Sequence, residues 1–108
     1  MNLQRQIEEL EDEYKVKLKD LNHQYDTLND IEREVSIECD ETYDRMTNLK
    51  VNKGFSEISN NRVTRILEEF SDEIKASCTK AKEQILENID ELKLSYTQIK
   101  HELEEGEN

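Results

Sequence analysis

A chain of 108 residues, 39% of them charged and only 33% hydrophobic, has room for one domain and too little apolar material for a thick globular core. The 27 acids against 15 Lys and Arg give a net charge of −12, shared evenly so that each half of the chain holds six more acids than bases. That field argues against nucleic acid and membrane as partners, because phosphate backbones and anionic lipids are both bound through clustered Lys and Arg.

The N-terminal stretch MNLQRQIEELEDEY has neither the basic segment nor the apolar run of a secretory signal. No segment approaches the roughly 18 apolar residues of a membrane span. A cytoplasmic protein is expected, with any export proceeding without a cleaved signal. Proline is absent and the only glycines are Gly54 and Gly106, so the first helix is predicted to run from residue 3 to about residue 51 without a breaker. Counting sevens gives the column Ile7, Tyr14, Leu21, Leu28, Val35, Thr42 and Leu49. Leu3, Leu10 and Ile31 flank it on one side, with Leu18, Tyr25, Cys39 and Met46 one residue further on. The resulting stripe is wider than a two-stranded zipper seam and favours a bundle of three or more helices. Glu11–Lys15, Glu13–Lys17 and Glu41–Arg45 stand at the favourable i, i+4 order on what reads as a solvated face.

The central stretch NLKVNKGFSEISNNRV, residues 48 to 63, contains the turn. Gly54 is predicted to supply the left-handed residue that ends the first helix, with Phe55 folding back on Leu49 and Ser56 or Ser59 capping the second. The fold class is therefore all-α: two long antiparallel helices of about 45 residues, a single helical-hairpin domain over 1–108 joined by a turn near residues 52–60. Two registers are open. A tight turn near residue 54 sets Cys39 opposite about residue 69, and a loop extending through Asn60 and Asn61 brings Cys39 opposite Cys78. Only the second permits a disulfide.

In the second helix the apolar series is Val63, Leu67, Phe70, Ile74, Cys78, Ala81, Ile85, Ile89, Leu92, Tyr96, Ile99 and Leu103. It advances by alternating fours and threes, with consecutive four-residue steps at 70 to 78 and 81 to 89 that relax a left-handed supercoil. Catalytic chemistry finds no footing. Cys39 and Cys78 fit no metal spacing and no CxxC motif, and read as small apolar helix residues in a reducing compartment. Asp20 and His23 form a lone carboxylate-x-x-His, where a di-iron bundle requires two such motifs and two further carboxylates. His101 has no cysteine or second histidine beside it. The expectation is a non-enzyme with no cofactor and no metal.

Interaction remains. Each helix of a hairpin meets one neighbour, so a wide stripe calls for another chain, either a second copy or a different helical protein. The expected partner interface comprises Tyr14, Leu21, Tyr25, Leu28 and Val35 from the first helix and Phe70, Ile74, Ile85, Ile89, Leu92, Tyr96 and Ile99 from the second. Tyr14, Tyr25, Tyr96 and Phe70 serve either as anchors for that partner or as filling for the hairpin's own seam. Leu, Ile, Val and Phe number 26, slightly above the roughly 20% at which a highly charged chain stays disordered, so low stability in isolation is expected.

Two long helices around the turn Lys53-Gly54-Phe55 resemble the small helical-hairpin proteins associated with type VII secretion in Gram-positive bacteria. WXG-type members carry Trp and Gly at that turn. This chain has no Trp, and none of Tyr14, Tyr25, Tyr43 or Tyr96 is followed four residues later by an acid, as the family's export tail requires. In its helical length, its acidity and the segment ECDETYDRMTNLKVNKGF, the chain is similar to a related group, the small helical partners of LXG-domain toxins. That resemblance implies a targeting factor or chaperone packed on the helical N-terminal region of the toxin, with a second small helical protein as a further partner. The competing expectations are a homo-oligomeric coiled-coil scaffold and an acidic regulator that masks a basic protein.

Overall fold

The computed structural model describes residues 2–53 and 57–106. These residues form two helices, α1 over Leu3–Lys53 and α2 over Glu57–Glu105, with no strand among them. Asn2 caps α1: its Oδ1 accepts from the Gln4 backbone N–H at 3.0 Å, and its carbonyl accepts from Gln6 N at 3.2 Å. At the far end of α2 the Gly106 N–H donates to the Glu102 carbonyl at 2.9 Å, closing the last turn. The helices pair antiparallel as expected, each being longer than the predicted 45 residues, at 51 and 49. The expected turn residues Gly54 and Phe55 and the candidate cap Ser56 lie outside the described residues.

Asn60 and Asn61, one of the two candidate loops, are helical. The Asn60 side chain is buried, and its backbone carbonyl accepts from the Thr64 hydroxyl at 2.9 Å. The tight-turn register is the one realised: Cys39 Sγ lies 4.0 Å from the Leu67 carbonyl oxygen, and Cys39 and Cys78 are both free. Leu67 and Cys78 are eleven residues apart on one helix, about 16 Å at 1.5 Å per residue, so the disulfide of the alternative register is out of reach.

Contacts group the chain into two compact units. One joins Met1–Thr27 to Lys82–Asn108, and the other is Leu28–Ala81. In the first, Ile85 and Ile89 are buried and the rings of Tyr14 and Tyr96 stack with centroids 4.4 Å apart and planes 21° from parallel. Lys82 Nζ stands 5.6 Å from the centre of the Tyr25 ring, and Lys100 Nζ stands 5.9 Å from that of Tyr96 and 3.8 Å from Glu11 Oε1. In the second unit Cys78 and Asn60 are the buried side chains among the described residues. Thr42 is tolerated on an otherwise apolar column because its hydroxyl donates to the Glu38 carbonyl at 2.8 Å.

The seam departs from the apolar column at three places, always in the same sense. Ile31, Phe70 and Ile99 are exposed, while the next residue in each case, Glu32, Ser71 and Lys100, is half-buried. The half-buried row runs through positions 28, 32 and 35, through 67, 71 and 74, and through 96, 100 and 103, one residue later than the apolar one at each middle place. Long polar side chains such as Glu and Lys occupy such positions by laying their methylenes along the seam. Leu49, the last member of the α1 column, is also exposed.

Candidate protein-binding surface

Burial within each unit sorts the expected interface residues. Ile85 and Ile89, at 7% and 8% exposure, are consumed by the pairing of α1 with α2. Tyr14 and Tyr96 are largely engaged with each other, and Tyr25 receives Lys82, so these rings fill the hairpin's own seam. Leu21, Leu28, Val35, Ile74 and Leu92 remain half-buried. Phe70 and Ile99 face outward. No described side chain is fully buried, and the buried apolar side chains among the described residues are Cys78, Ile85 and Ile89 alone.

Leu21 and Leu92 line an open depression along the helix pair. In the first unit two adjoining depressions, about 420 and 80 Å³, share Lys17, Leu92 and Ser95 and form one groove between α1 and α2. Leu10, Tyr14 and Leu21 line it from α1, and Leu92, Tyr96 and Ile99 from α2. Glu13, Asp20 and Glu91 stand along it. In the second unit a depression of about 350 Å³ lies between Cys39, Asp40 and Tyr43 on α1 and Thr64, Leu67, Glu68, Ser71 and Asp72 on α2. These grooves were not legible as such in the heptad count, since their floors are seam residues and their edges are drawn from neighbouring rows. The seven-residue spacing of Asn88 and Ser95, short polar side chains beside Leu92, is the signal that bears on one of them.

The surface is acidic as well as apolar. Arg5–Glu9, Arg33–Asp30 and the expected Arg45–Glu41 pair lie on exposed faces at 3.3, 2.6 and 3.8 Å. Such pairs each contribute at most about 0.5 kcal/mol. Glu11, expected to face Lys15, reaches across the seam to Lys100. Asp20 and His23 are both exposed, and His101 Nε2 lies 3.1 Å from Glu105 Oε1 on the surface of α2. Among the described residues no cluster of three His, Cys, Asp or Glu side chains is placed to hold a metal ion, and no helix is long and apolar enough to cross a membrane.

Fold and surface together define an all-α, two-helix hairpin whose apolar seam is only partly covered by its own two helices. No family model matches the chain, and no curated protein or solved structure matches it either.

Proposed function

We propose that the chain is a non-enzymatic helical binding partner, a targeting factor or chaperone that packs on the helical N-terminal region of a secreted toxin and helps deliver it to a type VII secretion system. The observation that carries the binding part of this reading is the incompleteness of burial along the seam: three apolar side chains are buried among the described residues, while Leu21, Leu28, Val35, Ile74 and Leu92 stay half-buried. A soluble monomer normally covers a seam of this kind, and exposed apolar surface rimmed by charge marks a docking site. The choice of partner rests on the resemblance of the turn and of the segment ECDETYDRMTNLKVNKGF to the small helical partners of LXG toxins. Self-association into a scaffold uses the same surface but brings together two chains of net charge −12, which repel.

The test is an affinity pull-down of the tagged chain from its native cells at low and high salt, with the bound proteins identified by mass spectrometry. A stoichiometric complex with a large toxin bearing a helical N-terminal region, retained at high salt, is the expected result. Recovery of the chain alone, sedimenting as a homo-oligomer, overturns the proposal in favour of a scaffold. A complex with a basic protein that dissociates as salt rises points instead to a masking regulator.

A further inference from the structure

We infer that the groove of the first unit is the docking site for a single amphipathic helix of a partner protein whose apolar stripe is flanked by Lys and Arg. The inference rests on the reading of the chain as a helix-binding module and adds to it the place of binding and the charge of what binds.

The shape of the groove comes from the helix pair. Its α1 side runs from Leu10 to Leu21, eleven residues or about 16 Å, roughly three helical turns, and it lies between two antiparallel helices. That is the length and form of the seat a third helix takes when it completes a bundle. Leu92 and Ile99, seven residues apart on α2, place apolar contacts about 10 Å apart along the groove, the i to i+7 repeat of a helix laid along it, with Leu10 and Leu21 on the α1 side. Ser95 and Asn88 keep the α2 side low, so the backbone of an incoming helix can come close. The groove is open along its length, which suits a helix better than an enclosed small molecule.

The charge of the groove selects the occupant. Three carboxylates, Glu13, Asp20 and Glu91, stand beside its floor against one ammonium, Lys17. A helix with acidic flanks would place like charges along both edges, whereas Lys or Arg at those positions would meet a carboxylate on each side. A second copy of this chain, with 27 acids against 15 bases, is the poorer match.

The probe is a synthetic Leu-striped helical peptide of about five turns with Lys and Arg flanks, compared with the same peptide carrying Glu flanks, titrated against the full chain at low and high salt. The basic-flanked peptide is expected to bind at least about tenfold more tightly at low salt. The double variant Asp20→Lys, Glu91→Lys should invert the preference, and Ser95→Trp should obstruct both peptides. All three positions are exposed, so circular dichroism should show unchanged helicity. Leu94→Ala, at a side chain 71% exposed and outside the groove, should leave binding unchanged. Equal affinity for the two peptides, or binding insensitive to the charge reversal and to Ser95→Trp, overturns the assignment of the groove while leaving the helix-binding reading standing. Neither peptide binding, together with a homo-oligomer that Ser95→Trp dissociates, overturns both.

Discussion

Asn60 is the residue at which polarity and burial conflict most sharply. Its side chain is 8% exposed, and its Oδ1 has no hydrogen-bond partner among the described residues. A buried carbonyl left unpaired costs about 1–3 kcal/mol, so Asn60→Leu should raise the urea midpoint by an amount equivalent to about 1 kcal/mol or more. An unchanged or lower midpoint would show that the amide is satisfied in solution. A buried Asn on a helical seam can favour one alignment of the helices over its neighbours at a cost in stability. The stacked pair Tyr14 and Tyr96 allows a second measurement. A double-mutant cycle to Leu at both positions should return a coupling of about 0.5–1.5 kcal/mol, beyond the area each ring buries. A coupling near zero would mean that the rings do not stack in solution.

At the scale of the elements, the helices follow from what is missing: no proline, and no glycine between residues 2 and 53 or between 57 and 105. They pair antiparallel, and with α1 ending at Lys53 and α2 starting at Glu57 only three residues lie between them, which is compatible with the tight register and not with the looped one. The consequence is testable through the cysteines. Oxidation of the purified chain should yield no intramolecular Cys39–Cys78 bond on a non-reducing gel or by mass spectrometry, since eleven residues of helix separate Cys78 from the residue facing Cys39. Rapid, quantitative formation of that bond would require the looped register. The three places where Ile31, Phe70 and Ile99 yield the inward position to Glu32, Ser71 and Lys100 show why residue type alone misplaces a seam. Apolar identity places the stripe on Ile31, Phe70 and Ile99, and the backbone phase turns the polar neighbour of each inward instead.

For the molecule as a whole, the net charge of −12 is the main influence on stability outside the seam. The ion pairs Arg5–Glu9, Arg33–Asp30 and Arg45–Glu41 sit on side chains more than half exposed and add little, so unscreened repulsion among the remaining acids should destabilise the fold. Thermal unfolding followed by circular dichroism should therefore shift to higher temperature as sodium chloride is raised from a few millimolar to several hundred, where the screening length falls below about 10 Å. A shift in the opposite direction would mean that ion pairs outweigh repulsion. Partial burial of the seam adds that any partner covering it should raise the unfolding temperature, and further so as its free concentration rises above its Kd.

Composition and periodicity by themselves determined the helical class and the division into two long helices near the middle of the chain, because breakers and apolar spacing act locally and can be read along the chain in order. They also determined that the chain is acidic from end to end. Which cysteine faces which residue, which of two adjacent positions points inward, and where a groove opens between Leu21 and Leu92 were decided only by the tertiary structure. Those outcomes depend on the alignment of two helices distant in sequence, and one residue of slip in that alignment changes every facing pair while leaving each helix's own pattern intact.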